Sequence, residues 1–297
     1  MKVYVTGGRG FVGSNVVAVL EGHGDGVVAP PSREVDVTDA DALRRSVADA
    51  KPDAVVHCAI LNDFARLYTD RRAAWAGYVG ATRNAVEAAN AAGAHVVLVS
   101  TDWVFDGTQA GATELEPPNP INAYGFLKAA SELVVAERAD RGAVARISGV
   151  QGVHRARPDT PRDQDAGFGY LVASLVDALR AGRRFTVWDA PDINVIATPT
   201  LATDAAELIR RIVELGRTGI HHCCGGEPVS RTDLARRAVE AFALDGALLE
   251  TGAPPAGAVP GPVPYDTSLD GTATAAALGV APPTLEDQLA RLRRELG

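Results

Sequence analysis

Along the first half of the chain, apolar runs of strand length alternate with longer segments in which apolar and polar positions mix at helical spacing. Residues 2–5, 26–29, 53–59, 94–100 and 143–147 read as strands. Residues 13–21, 40–49, 71–92 and 123–141 read as helices, the second capped by Thr38 or Asp39 and the third ending at Gly93. Residues 94–100 show no polar alternation, the pattern of a strand covered on both faces. Strand and helix in strict turn predict right-handed crossovers and an α/β fold, doubly wound around a parallel sheet.

The second half is less regular. Residues 155–167 are charged and carry two prolines, and read as an exposed loop. Helices are expected at 169–181, at 200–215, at 231–243 after Ser230, and at 284–296, where Leu285, Leu289, Leu292 and Leu296 share one side. In the segment 200–215, Asp204 and Glu207 precede Arg210 and Arg211, the order the helix dipole favours. Residues 219–224 form a short strand, and 252–264, with five prolines and three glycines, an extended connection.

Charge and cysteines narrow the class. Lys and Arg number 29 against 37 Asp and Glu, a net charge of -8, which disfavours a nucleic-acid partner. No apolar run is long enough for a membrane span, and the chain opens directly into a strand without a leader, so a cytoplasmic protein is expected. Cys58, Cys223 and Cys224 cannot build a disulfide framework. His221-His222-Cys223-Cys224 resembles a ligand cluster, but neighbours in a strand point to opposite faces and cannot converge on one metal ion.

The chemistry starts at Thr6-Gly7-Gly8-Arg9-Gly10-Phe11-Val12-Gly13, between the first strand and the first helix. Glycines at this spacing allow a tight turn, let a pyrophosphate approach the backbone, and pack the helix close to the strand. Bare helix-start N–H groups then hold the phosphates, so the turn predicts a Rossmann dinucleotide site. NAD sites usually carry an acid at the end of the second strand. Here Pro30-Pro31-Ser32-Arg33 stands there, and Ser32 and Arg33 suit a 2′-phosphate, so NADP(H) is expected, with NAD(H) as the alternative. The competing reading of Arg33 is a solvated surface charge.

Tyr124 and Lys128 stand four apart on a predicted helix and so share a face. A free tyrosine has a pKa of about 10, and a nearby ammonium group lowers it, making the phenol a usable acid or base. Such a pair also arises by chance on surface helices. Ser100 and Thr101 end the strand 94–100, on the side where parallel sheets gather ligand groups, and one of these hydroxyls can polarise a substrate carbonyl.

These residues resemble the extended short-chain dehydrogenase/reductases, and within them the dTDP-4-dehydrorhamnose reductase branch. The resemblance rests on Ser100-Thr101-Asp102-Trp103-Val104-Phe105-Asp106-Gly107, on Pro120-Ile121-Asn122-Ala123-Tyr124-Gly125-Phe126-Leu127-Lys128, and on a looser match at Ser268-Leu269-Asp270. It implies Thr101, Tyr124 and Lys128 as the catalytic trio, with Tyr124 and Lys128 also at the cofactor. It implies Gly7, Gly10, Phe11 and Val12 at the pyrophosphate, Asp36 and Val37 at the adenine, and Cys58, Ala59 and Ile60 along the dinucleotide. Asp102 and Trp103 would face the substrate.

The resemblance also implies a Rossmann domain over residues 1–147, with a returning segment near 184–215, and a smaller α/β substrate lobe over 148–297. The activity implied is NAD(P)H-dependent reduction of a keto group on a nucleotide-activated deoxysugar, the sugar nucleotide being the small-molecule partner and a homodimer being compatible with it. Alternatives are an NAD-dependent sugar-nucleotide epimerase and a non-catalytic dinucleotide-binding regulatory subunit. Three positions depart from the branch: Tyr78 replaces an asparagine, Gly149 an aromatic expected against the sugar, and Val263 an arginine. The rhamnose specificity is therefore not carried over. Arg155, Arg157 and Arg162 are either exposed loop charge or contacts to a diphosphate.

Overall fold

The computed structural model describes residues 1–61, 63–159, 163–259 and 261–297, so Arg162 lies outside the described residues. The first half runs β1 (Lys2–Thr6), α1 (Phe11–Gly22), β2 (Gly26–Val28), α2 (Ala40–Ala50), β3 (Ala54–His57), α3 (Phe64–Thr69), α4 (Arg71–Trp75), α5 (Ala81–Ala92), β4 (His95–Thr101), α6 (Ala123–Arg138) and β5 (Gly142–Ile147). The second runs α7 (Leu171–Arg180), β6 (Phe185–Trp188), β7 (Ile196–Ala197), α8 (Ala202–Glu214), β8 (Gly219–His222), β9 (Val229–Ser230), α9 (Arg231–Phe242), β10 (Leu249–Gly252), α10 (Thr272–Leu278) and α11 (Leu285–Leu296).

Six strands form a parallel sheet in the order β2-β1-β3-β4-β5-β8. Alternate residues of each strand enter opposite cores. Val3 and Val5 join Val16, Leu20, Val97 and Ile209 under α1 and α8, while Tyr4 joins Leu43, Val55, Val86 and Leu98 under α2 and α5. Both faces are thus covered, which is why these strands read as unbroken apolar runs. A separate core of Leu171, Leu175, Leu234, Leu289 and Leu292 holds the second lobe together.

The chain leaves β1 toward β2 on one side and crosses to β3 on the other, so the order reverses between β1 and β3. Ligands of doubly wound sheets bind at such a reversal. The strand that the second half contributes to this sheet is β8, outside the segment 184–215. Within that segment α8 packs on α1, but β6 pairs with β10 in a separate two-stranded sheet.

Beside short elements of the second half that the sequence analysis did not foresee (β6, β7, β9, β10 and α10), two departures lie in the first half. The helix expected over 71–92 is interrupted by a π-helical turn, Ala76–Gly80, which re-aims Tyr78 into the interior; such turns mark functional sites often enough to direct attention there. The short helix α3, capped by Asp63, was not expected, since six residues are too few to show a period.

Candidate active site

The glycine turn sits above the sheet reversal and leaves no room for side chains. Gly7 has φ +67°, and a Cβ there would lie 2.7 Å from the Ala59 nitrogen; one at Gly13 would lie 2.2 Å from the Gly7 carbonyl oxygen. α1 therefore begins flush against β1. Its N-cap, Gly10, supplies no side-chain cap, and no acidic residue occupies the first turn. The helix start thus offers its N–H groups to the adjoining space, as an anion site requires.

That space is a cleft of about 1310 Å³. Every expected cofactor residue outside the trio borders it: Gly7, Gly10, Phe11 and Val12 at the turn, Ser32, Arg33, Asp36 and Val37 after β2, and Cys58, Ala59 and Ile60 after β3. Asp36 uses one carboxylate oxygen on the Thr38 N–H and hydroxyl, at 2.9 and 2.8 Å. The Arg33 guanidinium is largely exposed and only loosely paired with Glu34, at 3.7 Å. Arg9 borders the same cleft. The donor set at the end of β2 therefore fits a phosphate better than a bare ribose diol.

Of the opposite wall, sequence reasoning raised only Arg157, as one of three loop arginines. His154, Arg157 and Tyr170 reach the cleft from the second lobe. The Tyr170 ring packs on Phe11 at 4.7 Å, from a backbone with φ 57°, and His154 stands 6.0 Å from the same ring. A tyrosine in the left-handed region is uncommon, and nothing in the local sequence signals it.

Thr101, Tyr124 and Lys128 come together at the carboxyl end of β4. Asn122 caps α6, accepting from the Gly125 N–H at 2.8 Å and donating to the Pro262 carbonyl at 3.0 Å, so the proline-rich connection is tied to the helix start that carries Tyr124. The Tyr124 hydroxyl is hydrogen-bonded to Thr101. Thr101 donates to Asp102 at 2.9 Å. The Tyr124 ring is framed edge-on by Trp103 at 5.9 Å and by Tyr78 at 6.0 Å.

The electrostatics correct one expectation. Burial pushes the Tyr124 phenol up to about 12, opposed by its bond to Thr101 and reinforced by the charges of Asp102 and Asp165. Lys128 does not acidify it. Its ammonium donates to the Val99 carbonyl at 2.7 Å and lies 5.8 Å over the Tyr78 ring, and burial draws it down to about 8. Desolvation outweighs the pairing the sequence suggested.

Asp102 is turned inward rather than toward open space. It accepts from Thr101, from Ser148 at 2.8 Å and from Thr267 at 2.6 Å, and burial raises its carboxyl to about 6. One of its direct partners is thus the Thr101 hydroxyl. Gly149, at φ +50°, has Phe168 and Pro199 each 3.2 Å from where a Cβ would stand, so a side chain there is crowded and its backbone strained. Val263 packs beside Ile193 and Val195. His57 shares a 2.7 Å hydrogen bond with Thr6 and is held neutral by burial, near 3. Arg155 pairs with Glu295 at 2.9 Å. His221, His222, Cys223 and Cys224 are buried, and no group of metal-binding side chains occurs among the described residues.

The chain is similar to known proteins in sequence and in fold. The sequence is similar to a probable low-salt glycan biosynthesis reductase of Haloferax volcanii, 28% identical over 303 residues, 98% of this chain and 97% of that one. It is 30% identical over 244 residues to a dTDP-4-keto-6-deoxy-D-glucose reductase of Streptomyces niveus, covering 81% of this chain and 78% of the relative. The solved dTDP-4-dehydrorhamnose reductase of Bacillus anthracis in complex with NADP has the same fold, with a TM-score of 0.84 over 99% of this chain and 98% of that one at 21% identity. The pattern of one family, described as the RmlD substrate binding domain, runs over residues 1–297, and the chain belongs to that family.

Proposed function

We propose that this protein is an NADP(H)-dependent oxidoreductase that reduces a keto group on a nucleotide-activated deoxysugar. The observation that carries the proposal is the hydrogen-bonded Thr101–Tyr124 pair, with Lys128 one helical turn on, at the sheet edge that also holds the glycine-turn cleft. The relatives' names point to the same reaction class.

In this reading the start of α1 holds the pyrophosphate, Ser32 and Arg33 the 2′-phosphate, Asp36 and Val37 flank the adenine, and residues 58–60 follow the chain of the dinucleotide. The dinucleotide, when bound, supplies the hydride. Tyr124 gives its proton to the carbonyl oxygen, and Thr101 turns its one O–H from Asp102 to orient that oxygen. Lys128 leaves the Val99 carbonyl to hold the nicotinamide ribose. A phenol kept protonated by burial suits proton donation, the direction of reduction. Residues 1–147 hold the dinucleotide, with His154, Arg157 and Tyr170 closing its cleft, and Trp103 with much of 148–297 shapes the sugar pocket.

Exposed Phe126 and Leu133, seven apart on α6, support pairing of two copies. Among the described residues no helix is long and apolar enough to cross a membrane. Together with the net charge of -8, this supports a cytoplasmic enzyme without a nucleic-acid partner.

The test is oxidation of NADPH by the purified protein with a thymidine diphosphate 4-keto-6-deoxyhexose. Turnover is expected with NADPH in preference to NADH. Tyr124→Phe is expected to lower kcat by about 10²–10⁴-fold while dinucleotide affinity stays within about twofold. Unchanged turnover in that variant, or no oxidation by the unmodified protein with any keto-sugar nucleotide, refutes the reading.

A further inference from the structure

Away from the trio, the most heavily invested polar residue in the second lobe is Arg231. Its side chain is fully buried at the start of α9. The guanidinium donates to three main-chain carbonyls: Gly167, Asn194 at 3.2 Å and Asp165 at 2.7 Å. The rings of Phe168 and Trp188 lie 5.4 and 6.0 Å from it. Burying a guanidinium is expensive unless its donors are satisfied. Here the two terminal nitrogens are satisfied and the Nε is left without a partner; two of the three carbonyls belong to one short loop, and the effect is to pin residues 165–167 in place.

The pinned loop presents a carboxylate to the catalytic trio. A Cβ at Gly167 would lie 3.4 Å from the Asp165 Oδ1 and 3.1 Å from the Trp103 ring, so Asp165, Gly167 and Trp103 form one wall. Trp103 is in turn edge-on to Tyr124 at 5.9 Å. Asp165 accepts from the Gly169 N–H at 3.1 Å, which fixes its direction. It is surrounded by the fold yet open to solvent, and its charge reaches the Tyr124 phenol. Arg231 tempers that charge through space but gives its terminal N–H groups to carbonyls, leaving the carboxylate with acceptor capacity on the wall that Trp103 shares with Tyr124.

We propose that Asp165 is a specificity-determining residue whose carboxylate accepts hydrogen bonds from ring hydroxyls of the hexose that bears the reacting carbonyl. A carboxylate is an acceptor only, and a hexose ring offers hydroxyl donors on neighbouring carbons, so the two are complementary. The inference rests on the reductase reading for the kind of ligand and extends it to what the pocket selects. Arg231 is the positioning residue behind it.

The experiment is calorimetric titration of the NADP⁺-saturated protein with thymidine diphosphate and, separately, thymidine diphosphate glucose. The unmodified protein is expected to bind the sugar nucleotide more tightly than the bare nucleotide. Asp165→Asn keeps the shape but replaces one acceptor oxygen with a donor, and is expected to weaken the sugar nucleotide by about tenfold or more. Binding of thymidine diphosphate should not change, which also shows that the variant is folded. Should Asp165→Asn not fold, Gly167→Ala, which crowds both Asp165 and the Trp103 ring, takes its place with the same expected selective loss.

Equal losses for both ligands, no loss for the sugar nucleotide, or an unmodified protein that gains nothing from the hexose each overturns the assignment. Selective loss of the sugar nucleotide in a protein that oxidises no NADPH would sink the reductase reading and leave Asp165 standing.

Discussion

Tyr124 and Lys128 are charged or neutral according to how deeply they are buried. The phenol, near 12, stays protonated far above neutral pH, while the ammonium, near 8, loses its proton just above it. Lysine is cationic below its pKa, so in the proposed role Lys128 offers a charged group to the nicotinamide ribose only below about 8. In the free enzyme kcat/KM for reduction is therefore expected to be level through neutral pH and to fall as pH rises through about 8. A profile that stays unbent to about pH 10, the ordinary lysine range, would show that Lys128 is not the group being titrated. Both residues were legible from their four-residue spacing. Their protonation was not, because desolvation depends on what the rest of the chain places around them. Asp165 and Tyr170 carried no sequence signal at all. One lies in a charged stretch that reads as exposed loop, and the other takes a left-handed backbone that only its neighbours impose.

At the scale of elements, α6 matters most, since it carries both residues and must hold its register over β4 and β5. Its register is fixed by a buried ion pair. Arg146 on β5 donates to Glu132 on α6 at 2.7 Å, and Ser100 on β4 donates to the same carboxylate at 2.5 Å. Arg146 also lies 5.0 Å over the Phe105 ring. Arg146→Met leaves Glu132 buried without its cation, which is expected to cost about 3–5 kcal/mol of stability by urea unfolding. Adding Glu132→Leu removes the stranded charge and is expected to recover most of that loss. A single-variant loss below about 1 kcal/mol, the scale of an exposed pair, would mean the pair does not anchor the helix. Neither residue stands out in sequence, since a charge inside a strand looks the same whether it meets solvent or a partner on the next layer.

Across the whole molecule, buried ionisable groups set how stability responds to acid. His57 titrates near 3 in the fold against 6.5 when unfolded, so between those values the unfolded chain binds the extra proton. Stability is thus lost as pH falls from 6.5 toward 3. Asp102, near 6 in the fold against 3.8, acts the other way, since there the folded chain keeps its proton longer and stability declines as pH rises through that window. The urea midpoint is expected to drop between about pH 6.5 and pH 4 in the unmodified protein and to drop less in His57→Gln. An equal drop in both would remove His57 from the account.

The alternation of apolar runs, the glycine turn and the Tyr124–Lys128 spacing were enough to predict a doubly wound α/β fold, a dinucleotide cleft and the edge of the sheet where the trio gathers. These are local patterns with fixed geometry, because a strand repeats every two residues and a helix about every 3.6. What tertiary structure alone decided depends on contacts between segments far apart in the chain. β8 completes a sheet begun by β1, the π-turn brings Tyr78 against Lys128, and Phe168 crowds the space at Gly149. Arg231 holds the main chain of Asp165 from 66 residues away. Such contacts are set by how the layers close around one another, and no window of neighbouring residues contains them.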